Sequence, residues 1–252
     1  MMSIIFRSMI ITSLRDKITL FYSLLFPIVL MVGLGLYFEG GDMPIRIVSG
    51  VTAISTIFWG MQGIAFQVHL QRNRGVYKLL KLTPMPILSF IFIMTLARTL
   101  IGTILNMLVW VGGILFLGIE VGAGAIFISA ILIAVGSLCF TAIGFLIANL
   151  AQNEGQINMY SNLLQLPMIF MSQAFYPLTN APQWVSIVGK LLPFEYYVQG
   201  LRGTLTESHG DLFLAFLIPC LYLIGSMLLA VPTFKWDPHG VKTINRVKKY
   251  ST

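Results

Sequence analysis

Long apolar stretches separated by short polar ones dominate the chain. Runs of mostly apolar residues occupy about 20–38, 48–68, 99–117, 125–150, 157–175 and 212–234. A membrane-spanning helix needs about 20 such residues, so the pattern predicts six transmembrane helices. The third run extends back to Ile87 and counts 33 residues to Ile119. That exceeds one crossing, so Ile87–Arg98 reads either as an interfacial segment or as a long tilted extension. Ahead of the first run, residues 3–18 align Ser8, Thr12, Arg15 and Asp16 opposite Phe6, Ile10, Leu14 and Ile18. This spacing predicts an interfacial helix, against the plainer reading of a helical lead-in to the first span.

Two further segments break the apolar rhythm. In residues 71–86, Arg74, Lys78 and Lys81 recur at helical spacing beside Val76, Leu79, Leu80 and Leu82. Gly75 loosens the start, and Pro84 and Pro86 stop the turn. A short amphipathic helix under the membrane or an ordinary lipid-binding loop both fit. Residues 176–211 are too long and too apolar for a solvated loop. Pro177, Pro182 and Pro193 divide them into short helices, with Trp184, Phe194, Tyr196 and Tyr197 suited to an interface. The expected fold is therefore all-α and integral to the membrane. It comprises one transmembrane domain over 1–252, with a short re-entrant helical segment on one side and a basic tail at 235–252.

Composition excludes a water-soluble domain. Of the 252 residues 57% are hydrophobic and only 10% charged, against roughly 25% charged in soluble domains. The net charge of +7 raises the question of nucleic acid, but its distribution answers otherwise. Six crossings put twelve basic and three acidic residues on the face holding both termini, and three basic and six acidic ones on the other. By the positive-inside rule both termini are cytoplasmic. Cys139 and Cys220 lie within apolar runs, so a disulfide framework is not expected. No cleavable signal peptide is expected either.

Catalytic chemistry finds no foothold. Gly189-Lys190 lacks the flanking residues of a phosphate-binding loop, and there is no H-E-x-x-H or Cys/His cluster. Neither catalytic, cofactor-binding nor metal-ligating residues are assigned. Polar stripes do cross the membrane. The second run aligns Ser49, Thr52, Thr56, Gly60, Gly63 and Gln67, and the fifth aligns Asn158, Ser161, Asn162, Gln165 and Ser172. Such groups are costly in lipid unless paired, so these faces point at protein or at a cavity. Helix packing and a substrate path are both open. Arg98 is the charge inside a long apolar run. It snorkels to the interface if the bilayer begins there, with Asn106 as the candidate partner if it lies deeper.

Two ordered motifs carry a family resemblance. Arg72-Asn-Arg-Gly, six residues, then Leu82-Thr-Pro-Met-Pro86 resembles the R-E-R/K-G…L-x-x-T-P-x-P signature of permease subunits of ATP-binding-cassette exporters, type-2 family. Phe175-Tyr-Pro-Leu-Thr-Asn-Ala-Pro-Gln-Trp184 and Leu192-Pro-Phe-Glu-Tyr-Tyr-Val-Gln-Gly-Leu-Arg202 are similar to the family's later F-P-L/I…L-P-x-W…L-N-P-x-x-Y…L-R. Asn73 replaces the usual acidic residue, removing a charged contact, and Leu192 replaces a common asparagine.

The resemblance implies that residues 71–86 form the coupling helix, with Arg72, Asn73, Arg74, Gly75, Lys78, Lys81, Thr83 and Pro84 facing an ATP-binding subunit. It implies a substrate path along Thr52, Thr56, Gln67, Asn158, Asn162, Gln165 and Ser172. It also implies an outer gate or plug at Pro177, Trp184, Pro193, Glu195, Tyr197 and Arg202. The chain itself would not be an enzyme and would bind no cofactor; ATP and magnesium belong to the partner subunit. A second copy or a similar permease completes the assembly in a bacterial plasma membrane, exporting an amphipathic or lipophilic cargo such as a drug, antibiotic or lipid-like molecule. Partners are thus protein and membrane lipid, not nucleic acid. An ion-driven secondary transporter is the alternative, and an intramembrane enzyme a more distant one.

Overall fold

The computed structural model describes residues 7, 10–11, 20–38, 40–77, 87–178, 181–206 and 212–234. Among these, every regular element is a helix. A π turn, Phe21–Leu25, leads into α1 (Phe26–Tyr37). Helix α2 (Met43–Ile57) starts behind Asp42 with a proline in its first turn, where a missing N–H costs nothing. It runs through a second π turn, Phe58–Gly63, into α3 (Ile64–Asn73). Then follow α4 (Ile87–Leu117), α5 (Ala123–Leu150) and α6 (Glu154–Phe170). The last three are α7 (Gln183–Leu191), α8 (Pro193–Leu205) and α9 (Leu212–Thr233).

Four helices among the described residues are long and apolar enough to cross a membrane: Met43–Asn73, Ser89–Leu117, Ala123–Leu150 and Leu212–Thr233. They answer the second, third, fourth and sixth expected spans. The first appears as the shorter apolar helix Ser23–Tyr37, and the fifth ends at Phe170 instead of Phe175. There Pro167 withholds one backbone donor from the preceding turn, and the chain bends away through Met171. The long third run is one unbroken helix, Ile87–Leu117. The expected breaks at Pro182 and Pro193 both appear, as the N-terminal boundaries of α7 and α8. The interfacial helix at 3–18, apart from three isolated residues, and the tail at 235–252 lie outside the described residues.

The rod formed by α2, the π turn and α3 is the most enclosed of the long helices, and α9 the least. Helix α5 backs the rod and also packs against α4, α8 and α9. Val48, Ile57 and Ile64 of the rod share one core with Ile133, Phe140 and Ala148 of α5. On α4, Phe92, Leu96, Leu100, Ile104 and Leu108 recur every fourth residue and stay exposed. A stripe of that kind suits hydrocarbon, which needs no covering element.

Candidate functional site

The rod carries polar chemistry at both of its ends and in between. At one end α3 stops at Asn73, where Arg74 N–H bonds the Leu70 carbonyl (3.0 Å) and Gly75 N–H the Arg72 carbonyl (3.1 Å). Gly75 holds φ at +72°, a conformation that favours glycine, so the chain reverses there. Asn73 and Arg74 are exposed, and Asn73 Nδ2 lies 2.9 Å from His69 Nε2. Arg72 departs from the expectation that grouped it with the loop's surface cations. It is 3% exposed, because its Nη1 donates to the Ala148 carbonyl (2.9 Å) and its Nη2 to Asn149 Oδ1 (3.2 Å). Past the turn Tyr77 is fully buried, its hydroxyl donating to Gln71 Oε1 (3.2 Å). Burial holds that phenol well above its usual range, with Arg72 pulling weakly the other way. Lys78, Lys81, Thr83 and Pro84 lie outside the described residues.

The polar stripe of the rod is mostly spent on neighbouring helices. Thr56 Oγ1 bonds the Thr52 carbonyl (2.8 Å) and meets Tyr197 Oη of α8 at 2.9 Å. Gln67 Oε1 accepts from Arg98 Nη1 at 2.8 Å. Arg98 is only 1% exposed, with Nη2 3.4 Å from the Trp59 carbonyl and its guanidinium carbon 4.0 Å from the Trp59 ring centroid. Trp59 Nε1 in turn donates to the Arg98 carbonyl (3.0 Å). The expected snorkelling arginine is therefore an interior one. Its candidate partner Asn106 instead donates back to the Gly102 carbonyl (2.8 Å). Thr52 is buried, and Gln165 Nε2 reaches the Ile57 carbonyl at 3.4 Å. Ser172 folds onto the Ile169 carbonyl (2.9 Å). Asn158 and Asn162 differ: both stay exposed on α6, and Asn158 Oδ1 accepts from Gln62 Nε2 (2.9 Å).

At the opposite end the backbone after α6 is gripped from two sides. Glu195, 1% exposed, accepts from the Gln173 N–H (2.7 Å), while Arg202 donates to the carbonyl of the same residue and to that of Ala174 (3.5 Å). These two residues of α8 thus hold the N–H and the carbonyl of one residue, Gln173. Burial and the nearby Arg46 lower the Arg202 pKa to about 10, against the opposing pull of Glu195 and Asp42, so it stays protonated at neutral pH. A Cβ on Gly50 would come within 2.7 Å of the Ala174 carbonyl oxygen, and one on Gly189 would collide with that of Met171. Helices α2 and α7 therefore close on residues 171–174 from two sides. Pro193 opens α8, Tyr197 is buried, and Trp184 and Pro177 are exposed.

Sequence reading missed Asn149, Trp59 and Gln62. Asn149 is an amide near the end of an apolar run, which was its one available signal; Trp59 and Gln62 gave none at helical spacing.

Residues 2–206 match the family model described as ABC-2 type transporter. Nodulation protein J of Rhizobium leguminosarum bv. viciae is 25% identical over 99 residues, which cover 39% of this chain and 38% of that protein.

Proposed function

Because the chain belongs to the ABC-2 type transporter family, and is by that membership a membrane transport subunit, we propose that it exports an amphipathic or lipophilic cargo using ATP hydrolysed by a separate subunit. The ATP-binding partner, with its ATP and magnesium, docks at residues 71–86. Both termini lie in the cytoplasm, consistent with the charge asymmetry. Six crossings per copy, two copies and two ATPase chains make the working assembly in a bacterial plasma membrane. Residues 176–211 form its outer cap.

The observation that carries this reading is the continuity of the rod. Met43–Asn73 is one apolar helix of 31 residues, about 46 Å at 1.5 Å per residue. One end presents Asn73 and Arg74 at a tight turn; near the other, Gly50 lies against the Ala174 carbonyl, and midway along Thr56 meets Tyr197 of α8. A push at the turn is carried along this helix, through its π turn, toward the opposite side, as rigid-body switching between inward- and outward-open states requires. The uncharged amides Asn158 and Asn162 support an amphipathic cargo over a small ion.

The test is co-expression with a candidate ATP-binding subunit. Arg74→Glu places the wrong sign on an exposed residue and should abolish co-purification, while the melting temperature of the permease alone moves little, since such surface changes cost about 0.5 kcal/mol or less. If Arg74→Glu and Gly75→Pro both leave assembly and ATP-dependent export intact, the docking assignment fails. Export that continues without the ATPase and stops when an ion gradient is collapsed favours the secondary transporter.

A further inference from the structure

The loop end of the rod is tied to two helices that do not flank the loop. Arg72 donates to Ala148 and Asn149 at the end of α5. Asn149 passes the connection on: its Nδ2 donates to the Ala230 carbonyl (3.0 Å) and approaches Thr233 Oγ1 (3.4 Å) at the end of α9. The Ala148 and Ala230 carbonyls are ones that helix ends leave without a backbone N–H partner. Ala148 is one because Gln152 N–H is taken by Gln156 Oε1 (2.8 Å). Ala230 is another because Phe234 N–H turns to Val231. A guanidinium beside a helix C-terminus is also favoured by the helix dipole. Asn149 is fully buried, so water does not compete for these bonds.

A second layer repeats the connection with rings. Tyr77, four residues beyond the end of α3, packs on Phe90 of α4 (centroids 5.3 Å apart) and on Phe234 (5.6 Å). Phe234 stacks on Phe145 of α5 at 5.9 Å and 16°. Polar and aromatic layers therefore join the same partners: the loop, α5 and the end of α9.

We propose that Arg72, Asn149 and Tyr77 form a transmission joint, through which displacement of the loop carries α5 and α9 along with the rod. The inference rests on the docking of an ATPase at residues 71–86. It differs from a push confined to α3 and α4, the helices on either side of the loop. Asn149 is its hub and acts as a positioning residue, since it meets neither the docking face nor the exposed amides of α6.

The experiment uses the full permease–ATPase complex in lipid nanodiscs, with Cys139→Ala and Cys220→Ala. Single cysteines replace Asp42, at the far end of the rod, or Phe213, exposed near the far end of α9. Labelling by a membrane-impermeant maleimide is timed with and without ATP and vanadate. In the parent complex both reporters change rate on trapping. Asn149→Asp keeps an acceptor for Arg72 but loses the donor to Ala230; ATP hydrolysis and the Asp42 response persist, and the Phe213 response is lost. Phe234→Leu, which removes the ring contacts to Tyr77 and Phe145, gives the same split and replaces Asn149→Asp if that variant does not fold. A Phe213 response equal to the parent's in either folded variant overturns the joint alone. A parent complex in which the ATPase does not bind, or neither reporter responds, overturns the docking reading and the joint with it.

Discussion

Arg98 is tolerated in apolar surroundings because other helix residues meet its charge. Gln67 accepts from one nitrogen, the Trp59 carbonyl approaches another, and the Trp59 ring lies beneath the guanidinium. Hydrogen bonds to charged groups contribute about 1.5–3 kcal/mol, so Gln67→Leu should destabilise the protein by about that much, read as a lower melting temperature in detergent. Arg98→Lys should not restore it, since an ammonium lacks the flat fork that bonds and stacks together. No change in melting for Gln67→Leu would remove this role. The sequence placed Gln67 and Arg98 in different arguments, one as path lining and one as a snorkelling charge. The pairing was illegible because it joins positions 31 apart, and helical spacing reports only neighbours on one helix. The same holds for Thr56 with Tyr197 and for Arg72 with Asn149. A periodic polar face was readable; whether it meets a cavity or another helix was not.

At the scale of elements the sequence was a better guide, and its errors have local causes. An unmet charge in lipid is costly, so Arg98 reads as snorkelling if the bilayer begins there and as interior if it does not. Residues 87–117 contain no proline, and one helix runs through Arg98. Helix α6 stops early because Pro167 weakens its last turn and α8 captures the next backbone stretch. Helix α7 closes on the start of the same stretch only because Gly189 has no side chain. Gly189→Ala forces α7 away from the Met171 carbonyl, and overpacking of this type costs about 1–3 kcal/mol. The expected readouts are a lower melting temperature and faster protease cleavage across residues 171–182. Gly112→Ala is the control, for a Cβ there meets nothing within 4 Å and should change neither. Equal behaviour of the two variants would show that close approach at α7 does not hold the cap.

For the whole molecule, the decisive contrast lies between two surfaces left uncovered by a single copy. The exposed side of α9 is hydrocarbon-like, with Phe213, Leu221, Ile224, Leu228 and Leu229. The exposed side of α6 mixes Met159, Leu163, Leu166 and Phe170 with Asn158 and Asn162. Lipid accepts the first face at no cost but penalises the amides of the second, which need a protein or an aqueous path opposite them. Helix α6 is also short: its 17 residues reach about 26 Å, against roughly 30 Å of hydrocarbon. A short helix bearing exposed amides belongs inside an assembly, not at its rim. We therefore expect α6 to face a second copy across the transport path. In a background lacking Cys139 and Cys220, Leu163→Cys should form a disulfide-linked dimer when native membranes are oxidised, and Leu229→Cys should stay monomeric. Dimer from Leu229→Cys with none from Leu163→Cys would reverse the assignment, placing α9 at the centre and leaving the amides of α6 to a path within one chain.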